Sequence, residues 1–156
     1  MPELRTAHPD DPASWVLLAG LSQEEAADLS PPRGALVLLG EGSETVAGGA
    51  VAPVGVGVAE IRRMWTAPEH RGNGYGRLVL EALEREAFDL GYRLLRLEIG
   101  PAAAPALALY RSAGYQLAPP IGPYPLAVMF EKWLVSDPEG RIPVRSALDA
   151  RRDVAA

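Results

Sequence analysis

The stretch EIRRMWTAPEHRGNGYGRLVLEALEREAFDL, residues 60–90, decides the fold of this 156-residue chain. Its first part, residues 60–66, predicts a strand that Pro68 ends, and residues 77–90 predict a helix. Between them, the loop of residues 71–76 has glycine at every second position. Glycine lets successive backbone N–H groups converge, and a helix N-terminus adds a partial positive charge. The loop is therefore predicted to bind a phosphate or a diphosphate.

The composition is that of one globular domain without a redox or metal signature. Hydrophobic residues make up 48% of the chain and charged residues 22%, which suits a single packed core. The net charge of -5 argues against a general affinity for nucleic acid or for an acidic membrane surface. The chain has no cysteine and only two histidines, His8 and His70, so we expect no disulfide, no cysteine nucleophile and no metal centre. No apolar run reaches the ~20 residues of a membrane span and no signal-peptide pattern opens the sequence, so we expect a cytoplasmic protein without a membrane partner.

Strand and helix patterns alternate along the rest of the chain and predict an α/β fold. A capping box of Ser22 and Glu25 predicts the start of a short helix, and Gly114 is a suitable end for a later one. The segment 53–57, with one proline and two glycines, predicts a loop or an irregular strand end. The remaining predicted elements are strands at 4–7, 35–39, 45–51, 94–99, 115–117 and 126–134 and helices within 10–29 and 105–113.

Glycine-rich phosphate loops of different enzyme classes differ in their spacing. The loop in this chain lacks the Gly-Lys-Ser/Thr ending of a P-loop, and it does not have the Gly-x-Gly-x-x-Gly spacing of a dinucleotide fold. It also lies in the middle of the chain rather than after a first strand. The glycines alone leave a nucleotide or dinucleotide enzyme open as an alternative.

A second motif downstream makes the pattern more specific. The chain resembles the GNAT family of acyl-CoA N-acyltransferases, in which an Arg/Gln-x-x-Gly-x-Gly/Ala loop precedes an Ala-x-x-Leu-Tyr-x-x-x-Gly-Tyr/Phe pattern. Residues 71–76, RGNGYG, match the first motif. The second motif is matched by Ala106, Leu109, Tyr110, Gly114 and Tyr115. The resemblance covers residues 60–115 closely and residues 2–134 by the order of the elements.

The resemblance implies an α/β fold with a mixed, mostly antiparallel central sheet and flanking helices. It also implies that the sheet is splayed between its two middle strands, 60–66 and 94–99. One acetyltransferase domain is expected over residues 1–134, with residues 135–156 as a C-terminal tail outside it. The tail is rich in charge and has few large apolar residues. It is either frayed or forms a short helix that contacts a second copy in a homodimer.

In the family, the glycine loop holds the pyrophosphate of coenzyme A, and main-chain groups of the preceding strand hold the pantetheine arm. The resemblance therefore implies acetyl-CoA as co-substrate. The cofactor-binding residues that it implies are Met64, Trp65, Thr66, Arg71, Gly72, Asn73, Gly74, Tyr75, Gly76 and Arg77. One position departs from the family, because Ala103 stands where an asparagine often helps to bind the cofactor.

Three residues match catalytic positions of the family. Tyr110 matches the tyrosine that protonates the departing thiolate, and Glu60 and Glu98 match general-base positions of different members. The alternative for the glutamates is a set of salt bridges with Arg62 and Arg96, because strand alternation puts each glutamate on the face of one arginine. Glu60 ranks slightly ahead of Glu98, since its strand leads into the cofactor loop.

Two further residues are candidates for binding the acceptor. Arg62 lies within a predicted central strand, where a guanidinium needs an anionic partner, either a glutamate of the sheet or a carboxylate of the substrate. Tyr124 lies in the proline-rich segment 118–125, which by analogy with the family borders the acceptor. A rigid structural turn is the alternative for that segment.

These features predict transfer of acetyl from acetyl-CoA to a primary amine by direct attack in a ternary complex, since no cysteine is available for an acyl-enzyme. A small molecule is the expected acceptor, and a peptide or protein N-terminal amine is the alternative acceptor. A CoA-binding sensor or interaction module without transfer activity is the alternative from another class. Ala103 slightly favours that module, whereas Tyr110, Glu60 and Glu98 argue against it.

Overall fold

Seven strands form one mixed sheet in the computed structural model, which describes residues 2–100, 104–118 and 128–134. The strands are β1 (Glu3–Ala7), β2 (Ala35–Glu41), β3 (Glu44–Gly55), β4 (Val58–Thr66), β5 (Leu94–Ile99), β6 (Gln116–Leu117) and β7 (Val128–Trp133). The helices are α1 (Trp15–Leu18), α2 (Gln23–Ala27), α3 (Tyr75–Asp89) and α4 (Ala104–Ser112), with short 3-10 helices at Pro12–Ser14 and Pro68–His70. The strand order is β1-β2-β3-β4-β5-β7-β6. Strands β4 and β5 run parallel and every other neighbouring pair is antiparallel, which confirms the expected fold class.

The two middle strands separate after a short paired stretch. Residues 58–60 of β4 pair with residues 94–96 of β5, and the pairing stops there, although both strands continue. Backbone N–H and C=O groups on the unpaired part of each strand are then available to other partners. The expected splay is confirmed, and it opens the sheet at its centre.

Apolar side chains fill both faces of the sheet. Strand β2 is a continuous apolar run whose alternate residues are buried in two separate clusters. Val37 and Leu39 belong to the cluster that includes the buried side chains of α3, and Leu36 and Leu38 belong to the cluster around Leu17 of α1. Burial on both faces explains why the strand lacks the polar alternation of a half-exposed one.

A buried ion pair joins α3 to β7. Lys132 Nζ donates to Glu84 Oε2 at 2.6 Å and to Oε1 at 3.1 Å, and both residues are 4% exposed. Burial raises the pKa of the Glu84 carboxyl above its usual value, while the charge and hydrogen bond of Lys132 oppose that rise. Removing either partner would leave a buried charge without compensation.

The segment before β2 differs in part from the sequence expectation. The first helix ends at Leu18, and Gly20 takes a left-handed φ of 84°, so that the chain can turn before α2. The predicted capping box is confirmed, because Ser22 Oγ accepts from the N–H of Glu25 and the Glu25 carboxylate accepts from the N–H of Ser22. Trp15, the first residue of α1, is 77% exposed.

Of the two alternatives for residues 53–57, the structure shows the irregular strand end, with a register shift between Pro53 and Gly55. Strand β3 continues through Pro53 to Gly55, because it stays paired with β4 that far. Helix α3 begins at Tyr75, two residues earlier than expected. Ala103, Tyr124 and the tail 135–156 lie outside the described residues, so the expectations for them are untested. In the described part of the chain, none of the helices is both long and apolar enough to cross a bilayer.

Candidate active site

The glycine loop forms a cradle of backbone N–H groups at the start of α3. Gly72 and Gly74 have φ angles of 83° and 77°, a region that glycine adopts without the Cβ penalty of other residues. No side chain caps α3. Among the described residues, the N–H groups of residues 72–77 have no hydrogen-bond acceptor. Free amides at a helix N-terminus favour an anion, so the loop has the geometry expected of a diphosphate site.

Two side chains of the loop hold this cradle in shape. Arg71 Nε donates to the carbonyl oxygen of Thr66 at 3.2 Å, which ties the loop to the end of β4. Asn73 Nδ2 donates to the carbonyl oxygen of His70 at 3.0 Å, which closes the turn. The amide of Asn73 thus has a structural role whether or not a ligand is bound.

A groove of about 580 Å³ lies beside the cradle. Met64, Trp65 and Thr66 line one side of it, and Leu109 and Tyr110 of α4 line another. Helices α3 and α4 approach closely here, since a Cβ added at Gly76 would lie 3.2 Å from Leu109 Cδ2. The groove therefore runs between the unpaired end of β4 and α4.

A second cleft, of about 560 Å³, lies next to this groove. Met64, Ala106 and Tyr110 line both spaces, so the two are adjacent. Glu60 and Glu98 line the second cleft and not the first. The structure thus brings both candidate bases into one cavity with Tyr110, away from the glycine loop.

The expected network of salt bridges is only partly present in the described residues. Arg62 Nε lies 3.6 Å from Glu60 Oε1, and the two side chains are 39% and 22% exposed. Glu98 is exposed and has no ion-pair partner within the described ranges. Arg96 stands opposite Glu131 in the pairing of β5 with β7. The cleft therefore offers two carboxylates in different settings, one in a long ion pair and one facing solvent.

Tyr110 sits where the groove and the cleft meet. It is 6% exposed, and its ring packs edge-on against Tyr115 with the centroids 5.7 Å apart. Burial raises the pKa of the Tyr110 hydroxyl to about 12. The phenol therefore remains protonated at neutral pH and can donate a hydrogen bond into the cavity.

A bulge interrupts β4 where it borders the cleft. The pairing with β3 skips Gly49, which faces two residues of β4, Arg63 and Met64. Arg63 has a φ of 59°, and a Cβ added at Gly49 would lie 2.6 Å from Met64 Sδ. Bulges of this kind turn a strand and re-aim its side chains. The bulge separates the part of β4 that carries Glu60 from the part that borders the glycine loop.

Some predicted site residues lie elsewhere. Arg77 bonds to Ser112 Oγ on α4 and does not line the groove, so its role toward a cofactor stays a prediction. Sequence reasoning missed Glu25 and Arg63, which also line the cleft. The capping box located the Glu25 carboxylate on α2, but nothing in the sequence said that α2 faces β4. No sequence pattern indicated that Arg63 lines the cleft, because regular strand alternation puts it on the opposite face from Arg62.

One group of potential metal ligands lies outside the cleft. Glu44, Glu69 and His70 offer ligand atoms that all lie within 4.8 Å of one another. These side chains are exposed or half-exposed, and exposed acidic groups often occur without an ion. The expectation that the protein needs no metal stays a prediction.

Comparison with known proteins agrees with this geometry. The acetyltransferase (GNAT) family model matches residues 2–115. An IAA acetyltransferase of Azospirillum brasilense is 42% identical over 79 residues, which are 49% of this chain and 52% of that protein. The chain spans about half the length of the curated relatives that it matches.

Solved structures show the same fold. A Klebsiella pneumoniae protein assigned to the acyl-CoA N-acyltransferases superposes with a TM-score of 0.71 at 31% identity, over 86% of this chain and 99% of that one. A GNAT family acetyltransferase of Elizabethkingia anophelis, solved with acetyl-CoA bound, superposes with a TM-score of 0.66 at 18% identity, over 85% of this chain and 98% of that one. The family match covers the glycine loop, both middle strands and Tyr110. The chain therefore belongs to the acetyltransferase (GNAT) family.

Proposed function

We propose that the protein transfers the acetyl group of acetyl-CoA to a primary amine of a small molecule, by direct attack in a ternary complex. The observation that carries the proposal is the pair of adjacent cavities that share Tyr110 in their lining. One lies beside the free amides of the glycine loop, and the other holds the carboxylates of Glu60 and Glu98. A donor in the first and an acceptor in the second would place the reacting atoms near Tyr110. A relative named for its action on IAA, a small molecule, supports an acceptor of that size.

The donor is held mainly by backbone groups in this proposal. The N–H groups of residues 72–77 receive the diphosphate, because they have no acceptor within the described chain and lie at the positive end of the α3 dipole. The pantetheine arm then follows the unpaired edge of β4 along residues 64–66, which line the groove. Its amide groups can pair with backbone groups there, in place of the strand that is missing.

Either of two carboxylates can accept the proton of the attacking amine. Glu60 lies on the part of β4 that precedes the bulge and is in a long ion pair with Arg62. Glu98 lies on β5 across the cleft and is exposed. Replacing the glutamate that acts as the base by glutamine should lower kcat/KM by about 10²- to 10⁴-fold. Comparing Glu60→Gln with Glu98→Gln assigns the role, because the non-catalytic residue should have a much smaller effect.

Main-chain groups of β4 and the hydroxyl of Tyr110 stabilise the negative charges that form as the bonds change. The amine nitrogen bonds to the thioester carbon, and main-chain N–H groups of β4 beyond the bulge stabilise the oxyanion that forms. The C–S bond then breaks, and Tyr110 donates a hydrogen bond to the departing sulfur. Full proton transfer from a phenol whose pKa is about 12 to a thiolate with a pKa of about 8.5 would be uphill by about 5 kcal/mol. Tyr110 therefore stabilises the thiolate mainly as a donor, and the proton lost by the amine makes up the final thiol.

The test is release of free coenzyme A from acetyl-CoA in the presence of a panel of primary amines. We expect release with at least one small amine, and binding of CoA but not of NAD or ATP by calorimetry. Tyr110→Phe should lower kcat by about 10- to 100-fold while the affinity for CoA stays within about twofold, since a charge-assisted hydrogen bond is lost only as the sulfur departs.

A matched control is Tyr92→Phe, because the Tyr92 hydroxyl donates to the carbonyl oxygen of Arg33 outside the cavity. This variant should keep the wild-type kcat. CoA binding without thiol release for any amine would contradict transfer and support the CoA-binding module. Binding of a nucleotide in place of CoA would reject the proposal entirely.

A further inference from the structure

Arg63 occupies an unusual position in the cleft. Among the described residues, it is the one residue other than glycine with a positive φ, at 59°. The left-handed region is unfavourable for a residue with a long side chain, and such strain persists mostly where function needs it. The strain arises because Arg63 is one of two residues of the bulge that face Gly49. As a result, the adjacent Arg62 and Arg63 both line the same cleft, which regular alternation would not allow.

Within the cleft, Arg63 is the cation without a partner in the described part of the chain. Arg62 is in an ion pair with Glu60, and no carboxylate of the described residues lies within 4.0 Å of the Arg63 guanidinium. Glu25 faces it at longer range. The pKa of Glu25 is lowered mainly by hydrogen bonds from Ser22, with smaller contributions from the positive charges of Arg63 and Arg62. The Arg63 side chain is exposed, so a ligand in the cleft can reach it.

The charges of the cleft limit what kind of ligand fits. Three carboxylates, those of Glu25, Glu60 and Glu98, face the two arginines, so the five side chains sum to one negative charge. A dianionic phosphate would be repelled by this balance. A simple amine would leave the strained, unpaired guanidinium without a role. A zwitterion satisfies both signs, with its ammonium group near the carboxylates and its carboxylate on the arginine fork.

We infer that the acceptor is an amino acid, and that Arg63 binds its carboxylate while its amino group faces Glu60 and Glu98. The inference rests on the proposed acetyl transfer and narrows its acceptor class. The reaction keeps the same balance: the amino nitrogen forms the new C–N bond, the C–S bond of acetyl-CoA breaks, and one amino proton passes through a glutamate to the products. The apolar lining of the cleft, which includes Leu21, Leu29 and Ile61, favours an amino acid with an apolar side chain.

Three acceptors that differ only at the carboxylate test the inference: leucine, leucinamide and isoamylamine. After correction for the fraction of neutral amine, we expect kcat/KM for leucine to exceed those of the other two by about 10- to 100-fold, the range of a charge-assisted pair. In Arg63→Asn this preference should disappear. Asparagine tolerates the left-handed region, so the backbone can keep its course.

Two further variants separate charge from structure. Arg63→Gly also removes the charge and fits a φ of 59° without strain, so it should lose the preference and remain folded. Arg63→Lys keeps a charge without the planar fork and should retain part of the preference. Arg85→Asn is the matched control, because Arg85 is exposed on α3 and does not line the cleft; it should behave as the wild type.

The outcomes distinguish this inference from the proposed function. Equal use of all three acceptors, or an unchanged preference for leucine in Arg63→Asn, overturns the inference and leaves acetyl transfer in place. If none of the acceptors is acetylated although CoA binds, the proposed transfer fails with it. Calorimetry with the CoA-loaded protein adds a readout without turnover: N-acetylleucine should bind about 10-fold more tightly than N-acetylleucinamide, and equal binding would overturn the role of Arg63.

Discussion

Replacing Gly74 by alanine tests whether the glycine loop is shaped for a diphosphate before any ligand arrives. Gly74 is the N-cap of α3 with a φ of 77°, and a Cβ added there would meet nothing within 4 Å. The substitution therefore changes only the backbone preference, which we put at about 1–2 kcal/mol against the left-handed conformation. For a chain of this size, that corresponds to a fall in Tm of about 2–8 °C if the loop keeps its native course.

If the loop of the free variant relaxes instead, the same free energy appears in ligand binding. Coenzyme A must then restore the left-handed turn, and its Kd should rise by about 5- to 30-fold. Urea or thermal denaturation measures the first share of the free energy, and calorimetry with CoA measures the second. The two shares together should amount to about 1–2 kcal/mol.

Gly91→Ala is the matched control at the other end of the same helix. Gly91 follows α3 with a φ of 99°, and a Cβ there would also meet nothing within 4 Å. It should lose a similar amount of stability while the Kd for CoA stays unchanged. The reasoning would be refuted if both variants weakened CoA binding equally, or if Gly74→Ala matched the wild type in both Tm and Kd.

The buried ion pair gives a pH-dependent prediction: Lys132→Met should lower the free energy of unfolding by about 3–5 kcal/mol at pH 8. The loss should be smaller at pH 5. Burial raises the pKa of Glu84 and Lys132 opposes that rise, so the folded variant without Lys132 binds a proton on Glu84 above the unfolded pKa of 4.5. This protonation removes the buried charge, and the stabilisation that it gives is lost as the pH rises. Urea denaturation at both pH values measures the loss. The double variant with Glu84→Gln is the control and should show little pH dependence. An equal loss at pH 5 and pH 8 would contradict the prediction. Since burial raises the pKa of Tyr110 to about 12, kcat should show no descending limb up to pH 10; a limb near pH 9 that vanishes in Tyr110→Phe would show otherwise. Turnover should be unchanged by EDTA, and a loss that Zn²⁺ restores would point instead to the cluster that includes His70.

The sequence predicted most accurately those features that a local rule determines. Strand β5 has the predicted bounds, 94–99, and the box of Ser22 and Glu25 forms as its spacing requires. The loop glycines at 72 and 74 take the left-handed conformation that their residue type favours. The family motif then linked this loop to Tyr110, which the structure indeed places in the same groove.

Features that depend on pairing between distant segments could not be predicted in this way. Whether β3 ends at Pro53 or continues is decided by its pairing with β4, and not by the residues of the segment itself. The bulge at Arg63 requires Gly49 on the neighbouring strand, so no pattern within residues 60–66 reveals it. Glu25 lines the cleft together with residues of β4, whereas the sequence around Glu25 predicts only the start of a helix.

Lys132 is the sole lysine of the sequence, and its ammonium group is enclosed with Glu84 beneath the surface. In the proposed transfer, the protein would thus present no exposed lysine amine of its own to the acyl group of acetyl-CoA. The other basic side chains that stay charged are arginines, whose protonated guanidinium groups are poor nucleophiles toward a thioester. Acetylation of a surface lysine, which would remove a positive charge, is consequently not expected in this protein even during long contact with acetyl-CoA.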